Sequence, residues 1–278
     1  FTQGMVCHET YRDQNGNWLY PDEVEKKNPN NVVKLSDKSK VMVGPAESMS
    51  KSKKNTIDPE EMILQYGADA VRWFILSDSP PEKDIQWSDR GVSSANKFLQ
   101  KIWNLNHLIL NRKQTKSDKN FAKKFILEID SFVLKIDNSI KNFRFNVSIA
   151  HFYEVYNFFK DCLDKNIENK ILEENMTKIM KLMIPFTPHL SFECLEKLNC
   201  KSINQWPDVK TDIIEEVKVA IQVNGKTRDI ITINKDVDER DLNTIVNSKS
   251  KAKKYIENRK ILKTIFVKNK IINYIISN

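Results

Sequence analysis

The spacing of apolar residues changes period along this 278-residue chain, and that change limits the folds open to it. Up to about residue 46 the pattern is short and broken by turn residues. Asn15-Gly16 lies between Tyr11 and the pair Trp18 and Tyr20, which predicts a tight hairpin. A second strand pair is expected at 32–35 and 41–43, joined through Ser36-Asp37-Lys38. From Ser88 the period becomes helical. Ala95, Phe98, Leu99, Ile102, Leu105 and Ile109 mark a first helix, and Phe125, Ile129, Phe132, Val133, Ile136 and Ile140 a second. Phe145, Ile149, Phe152, Tyr156, Phe159 and Leu163 mark a third, and Leu172, Met176, Ile179, Met180 and Met183 a fourth. Thr187-Pro188 opens a short helix with Leu190, Leu195 and Leu198. Such a series makes a bundle, with the Phe and Met stripes as its core. Trp206-Pro207 closes it, and residues 208–216 read as an acidic linker. Val217, Val219, Ile221 and Val223 then alternate up to Asn224-Gly225, with a second strand over 226–233. A helix near 238–248 holds Leu242, Ile245 and Val246, and a hairpin at 265–267 and 271–276 turns about Asn269-Lys270, completing a small ββαββ unit.

Between the two patterns stands Ser48-Met49-Ser50-Lys51-Ser52-Lys53-Lys54-Asn55, followed by a helix start. Asp58 is expected to cap, Pro59 to occupy the first turn, and Glu61 to complete a capping box. Gly67 suits the helix end, and Asp69 is expected to cap the next helix, which carries Ala70, Val71, Trp73, Phe74 and Leu76 and stops at Ser79-Pro80-Pro81. Arg72 reads as a surface charge or as a brace for the lysine loop. A basic loop pinned in this way can offer ammonium and N–H groups to phosphate oxygens; on composition alone it also reads as a solvated basic cluster. Lys and Arg outnumber Asp and Glu by 45 to 37, an excess that suits a polyanionic partner without naming nucleic acid. No apolar run reaches the ~18 residues of a membrane span. Cys7, Cys162, Cys194 and Cys200 form no C-x-x-C pair, and no histidine stands at ligand spacing to them. Reduced thiols are therefore expected, with no metal site.

Met49-Ser50-Lys51-Ser52, followed by Asn55, Ile57, Asp58 and Pro59, resembles the KMSKS signature loop of class I aminoacyl-tRNA synthetases, with Ser48 replacing the first lysine of the signature. Gly4-Met5-Val6, Tyr20-Pro21 and Val41-Met42-Val43 are similar to the leucine-specific insertion of bacterial-type leucyl-tRNA synthetases. Gly67-Ala68-Asp69-Ala70-Val71-Arg72 and Asp84-Ile85-Gln86-Trp87-Ser88 fit the same family. Phe145-Asn146 and Pro185-Phe186-Thr187-Pro188-His189-Leu190 resemble its helical anticodon-binding domain, and Val223-Asn224-Gly225-Lys226-Thr227-Arg228 the start of its C-terminal domain.

The resemblance runs from Gly4 to about Ile276. It implies a multidomain α+β protein: the C-terminal part of a Rossmann-type catalytic domain at 1–88, with the insert at about 9–46 and the signature loop at 48–52; an anticodon-binding-type helical domain at 89–207; and a C-terminal tRNA-binding domain at 217–278. It implies ATP-dependent formation of leucyl-adenylate and transfer to tRNA-Leu, with leucine, ATP and Mg2+ carried on the ATP. Lys51 is the implied catalytic lysine. Ser48, Met49, Ser50 and Ser52 complete the ATP-binding loop, with Ser50 and Ser52 shaping it, Lys53 partly replacing the missing lysine, and the loop mobile so that it closes over ATP, with Gly44-Pro45 at its base. Lys97, Lys101 and Trp103 on the first bundle helix are candidate tRNA contacts. Lys97 and Lys101 share a helix face, which suits phosphate contact and solvation equally. Lys226, Arg228, Lys268 and Lys270, read as a cluster at two turns, are the others; turn solubility is their plain alternative.

The family's histidine motif, editing domain and leucine pocket would lie upstream of Phe1, so the chain reads as an inactive C-terminal fragment of a cytoplasmic enzyme with no membrane partner, its oligomeric state left open with a monomer favoured. Valyl- or isoleucyl-type synthetases and a non-catalytic RNA-binding module are the alternatives.

Overall fold

The computed structural model describes residues 2–28, 31–113, 115–209, 216–257 and 259–277. The chain divides into two compact units, Phe1–Val209 and Lys210–Asn278, and both helix and sheet contribute throughout. The linker expected at 208–216 falls largely on residues 210–215, outside the described residues.

In the first unit, β1 (Val6–Arg12) and β2 (Trp18–Leu19) form the expected hairpin. The Asp13 carboxylate accepts from the backbone N–H groups of Asn15 and Asn17 at 2.9 and 2.8 Å, and Gly16 takes a φ of 84°, which a side chain would disfavour. The second hairpin differs from the expected one. β3 (Val24–Asn28) pairs with β4 (Asn31–Lys34), and only a Val33–Lys40 bridge remains of the pairing expected between 32–35 and 41–43. The chain after Val41 becomes β5 (Met42–Ser48), which runs antiparallel along β1 from Cys7 to Arg12. A seven-residue strand on β1 satisfies more backbone groups than a three-residue hairpin arm. Gly44 therefore stands opposite Thr10 on β1, and Pro45 is the extra residue where the register shifts between Glu9 and Thr10. A Cβ at Gly44 would come within 2.3 Å of Thr10 Oγ1, so a larger residue there would force that side chain to move. β6 (Ile85–Gln86) joins the start of β1 in the only parallel pairing of this sheet among the described residues.

The helices follow the apolar periods closely. α1 (Pro59–Tyr66) is capped by Asp58, which accepts from Glu60 N–H at 2.9 Å; the expected capping box with Glu61 is not formed, and Asp58 caps alone. α2 (Ala68–Ser77) is buried through Ala70, Trp73 and Phe74. α3 (Asp89–Asn111) starts at the Ser88 cap. α4 (Lys119–Lys141), α5 (Phe145–Cys162), α6 (Asn169–Met183) and α7 (Pro188–Lys197) complete the bundle. Its aromatic centre is Trp73, 1% exposed, with ring centroids of Phe98 and Phe152 at 5.3 and 5.8 Å.

Two charged residues of α2 act far from the positions expected of them. Asp69 does not cap its own helix, which starts at Gly67. It is buried, and its carboxylate accepts from the Leu190 N–H at 2.7 Å and the His189 N–H at 3.4 Å, serving the open start of α7. Arg72 braces the other side of that corner, donating to Pro185 O at 2.6 Å and Phe186 O at 3.3 Å, and not to the lysine loop. A charge-assisted bond of the Asp69 kind contributes about 1.5–3 kcal/mol. Asp69→Ala should lower the stability of the bundle by that amount in urea unfolding followed by helical ellipticity, with Asp69→Asn recovering part of it. A shift below 0.5 kcal/mol (about a third of the lower bound) would mean the bond contributes little.

The second unit has the expected ββαββ order with one extra turn of helix. β7 (Glu216–Val223) and β8 (Lys226–Asn234) form a hairpin, followed by α8 (Glu239–Lys249), the short α9 (Lys253–Ile256), β9 (Ile261–Val267) and β10 (Ile271–Ile276). The sheet order is β8-β7-β10-β9, with β7 and β10 parallel. Val219, Ile221, Leu242, Val246 and Ile272 are fully buried between sheet and helices. Among the described residues of both units, no helix is long and apolar enough to cross a membrane.

Candidate functional site

The signature string sits where the sheet hands over to the helices. After β5 ends at Ser48, the chain makes a single 3-10 turn over Lys51–Lys53, closed by Lys53 N–H to Ser50 O and Lys54 N–H to Lys51 O, both at 3.2 Å. The Ser50 and Ser52 hydroxyls lie 2.8 Å apart, so these serines do shape the turn. Met49 leans on the helical core, and its N–H bonds Val6 O on β1 at 3.1 Å. Lys54 takes a φ of 52°, a left-handed conformation that costs a side-chain-bearing residue about 1–2 kcal/mol. Its ammonium lies 5.0 Å above the Tyr20 ring.

Asn55 anchors this turn. It is fully buried, and its Oδ1 accepts the Ser50 N–H at 2.8 Å. Its Nδ2 donates to His8 O at 3.2 Å, Glu47 O at 3.1 Å and Ser48 O at 3.4 Å. Sequence reasoning had Asn55 only as a letter of the resemblance; an asparagine between a basic run and a capped helix was the available signal.

The lysines of the loop end up with different partners. Lys53 is ion-paired with Glu47 on β5, so the charge expected to make up for the lysine missing at Ser48 already has a carboxylate partner. Lys54 is over Tyr20. Lys51 is exposed and has no side-chain partner among the described residues, while Ser48 is an exposed strand end.

Lys51 borders a cleft of about 820 Å³ with Tyr20, Asp22, Asp58, Glu61 and Asp89. Four carboxylates against one ammonium make this cleft unfavourable to a polyanion. Asp89 also borders a second cleft, of about 980 Å³, with His8, Glu9, Lys26, Trp87 and Arg90. There burial pushes the Glu9 carboxyl up, but hydrogen bonds from Lys26 and Tyr11 and the Lys26 charge outweigh it and hold it below the usual range. Burial and the Glu9 carboxylate raise the Tyr11 hydroxyl. This network ties the β3–β4 hairpin to β1. Among the described residues no group of three or more His, Cys, Asp or Glu side chains is set to hold a metal ion.

The candidate RNA contacts are dispersed. Lys97 and Lys101 are both exposed on α3. Trp103 is half-buried against the core, under the Lys197 ammonium at 5.2 Å and beside His107 at 4.7 Å, so it packs α3 onto α7. Lys226, Arg228, Lys268 and Lys270 do not form one cluster. The β7–β8 turn follows Val223, which pairs with Tyr274, whereas the β9–β10 turn precedes Ile271, which pairs with Ala220. Because the two strands are parallel, the turns stand at opposite ends of the sheet. At one end the Arg228 guanidinium stacks on Tyr255 at 4.3 Å, close to Lys226 and Arg259. At the other, Lys268 pairs with Asp236 at 3.3 Å, and hydrogen bonds from Asn269 and Lys268 keep that carboxyl below its usual range.

Comparison with known proteins bears on the whole chain. The family described as tRNA synthetases class I (I, L, M and V) matches residues 24–88, and the anticodon-binding domain of tRNA ligase matches residues 122–243. The leucine–tRNA ligase of Rickettsia bellii is 37% identical over 282 residues, covering 99% of this chain and 33% of that protein. That of Hyphomonas neptunium is 35% identical over 284 residues, covering 100% of this chain and 33% of that protein. Among solved structures, the Agrobacterium radiobacter K84 agnB2 LeuRS, determined as a ternary complex with tRNA and LeuAMS, aligns with a TM-score of 0.69 at 21% identity, over 100% of this chain and 32% of that one. The chain spans about a third of the length of the curated relatives it matches.

Proposed function

We infer that the chain belongs to the leucine–tRNA ligases of bacterial type, as a C-terminal part, and that the whole protein joins leucine to tRNA-Leu through leucyl-adenylate. The similarity to such ligases along the full chain supports this reading. The observation in the site that carries it is Lys51, exposed on a turn whose serines, Asn55 and neighbouring lysines are all engaged.

Adenylate formation builds negative charge on the triphosphate as carboxylate attacks the α-phosphorus and pyrophosphate leaves. Fixed cations and N–H donors aimed at that charge supply most of the acceleration. In this reading Lys51 meets the phosphates, Met49 and Ser50 lie toward the adenine, and Ser52 keeps the turn closed; Ser48 leaves one family charge unfilled. Mg2+ would travel with the ATP. The residues that face Lys51 across the nucleotide, and the leucine pocket, belong to the other two thirds of such a protein. The arrangement proposed is a catalytic part at 1–88, with Rossmann-type strands completed by that remainder, a helical anticodon-binding-type domain at 89–207, and a tRNA-binding domain at 217–278.

The tRNA contacts proposed are Lys97, Lys101 and Trp103 on α3, and the two ends of the C-terminal sheet, Lys226 with Arg228 and Lys268 with Lys270. Each neutralised phosphate releases a counterion. Engagement of all six cations, Lys97, Lys101 and the four at the sheet ends, would weaken binding about a thousandfold between 50 and 200 mM salt, and engagement of the four sheet-end cations alone about a hundredfold. Measuring tRNA-Leu binding by the 278-residue chain at these two salt concentrations checks this. Salt-independent binding would reject the phosphate contacts. Leucine-dependent pyrophosphate exchange by the whole protein tests the ligase reading itself, and its absence would leave the RNA-binding alternative.

A further inference from the structure

We propose that Asn55 is the positioning residue of the signature turn: its buried amide ties Ser50 to β1 and β5 and thereby sets where Lys51 stands. The proposal rests on the ligase reading above and goes beyond it in assigning a role to a side chain that never touches substrate.

A primary amide has two N–H donors and an acceptor oxygen, and one buried without partners is strongly unfavourable. Asn55 is fully buried and fully used. The Ser50 N–H to Oδ1 bond, at 2.8 Å, closes a ring of residues 50–55, and Lys51 lies inside that ring. The Nδ2 group faces carbonyls from two strands, His8 on β1 and Glu47 and Ser48 on β5. The turn is thus referenced to the sheet by a side chain, while its own backbone bonds only span the 3-10 turn. The other ties differ in kind: the Met49 N–H bonds Val6 O on β1 ahead of the turn, and Lys53 and Lys54 hold to Glu47 and Tyr20 through exposed or half-buried contacts, whereas Asn55 is the fully buried side chain that grips Ser50, the residue next to Lys51. The shape of the site also selects asparagine. Aspartate would keep the acceptor but set a carboxylate against three carbonyl oxygens. Alanine would leave the Ser50 N–H and those carbonyls without their partner.

A displacement of about 1 Å in a catalytic group can cost a hundredfold in rate, so loss of the tie should reduce turnover without touching the leucine pocket. In the whole enzyme, Asn55→Ala is expected to lower kcat for leucine-dependent pyrophosphate exchange at least tenfold, with the KM for leucine changed less than twofold. The decisive measurement is the double variant with Lys51→Ala. If Asn55 acts through Lys51, the double variant is within about twofold of Lys51→Ala alone, because groups acting as a unit are not additive. A merely structural role would multiply the two losses. Asn55→Asp, which retains the size of the side chain, provides the same comparison should the alanine variant fail to fold, and is expected to lose nearly as much. Unchanged kcat in the variants, or multiplicative losses, would overturn the proposal. A wild-type enzyme lacking leucine-dependent exchange would instead overturn the ligase reading on which it rests.

Discussion

Lys51→Ala in the whole enzyme is expected to slow leucyl-adenylate formation by about a hundredfold to a thousandfold, or about 2.7–4 kcal/mol of transition-state stabilisation. The size follows from the surroundings of the side chain. Lys53 is neutralised by Glu47, Lys54 is held over Tyr20, and position 48 carries a serine, so no neighbouring ammonium is free to take the place of Lys51. Charge on the phosphates grows toward the transition state, so the loss should fall on kcat and leave the KM for leucine nearly unchanged. Pyrophosphate-exchange kinetics at saturating and limiting leucine separate the two. Turnover within threefold of wild type (about 0.65 kcal/mol) would remove Lys51 from the phosphates.

Trp73→Ala is expected to destabilise the first unit by about 3–5 kcal/mol, as large aromatic truncations in packed cores do. Trp73 touches Phe98 of α3, Phe152 and Tyr153 of α5 and Phe186 before α7, and its indole N–H reaches the Tyr153 hydroxyl at 3.4 Å. The cavity would lie where α2, α3, α5 and the Pro185-Phe186 corner converge, and each neighbour is held by further aromatic contacts, so collapse around it is restricted. Denaturant unfolding read by helical ellipticity should show a lower midpoint with an unchanged slope. A loss under 1 kcal/mol (well below that range) would mean that the site refills and that the bundle is organised elsewhere. The expected damage is to stability; in the whole enzyme, kcat per folded molecule should hold better than for Lys51→Ala.

Local chemistry was legible from the residues wherever a rule acts over a few positions. The Asn15-Gly16 and Asn224-Gly225 turns, the Asp58-Pro59 and Ser88 helix starts and the apolar stripes of α3 to α6 all follow from backbone sterics, capping and periodicity. The basic string Met49 to Lys54 was equally visible as the likeness of a phosphate-binding loop. The use of charges over long separations was not legible. Asp69 had the right spacing to cap α2, yet its carboxylate is applied to α7, 120 and 121 residues on, because the fold brings that open helix end against a buried acid. Lys53 had the composition of a phosphate ligand and was taken by Glu47, six residues back across the end of β5.

Period, turns and caps thus determined from sequence alone that this chain carries a β-rich start, a helical bundle and a ββαββ end, with a basic turn between the first two. Only the tertiary structure decided which strands pair, that the lysines and arginine of the C-terminal turns are split between opposite ends of a sheet, and that Asn55 holds the turn which presents Lys51. The physical reason is range. Propensity and capping act through covalently near neighbours, whereas strand partners, ion pairs and buried amides are chosen by which distant groups the core brings within about 3 Å of one another.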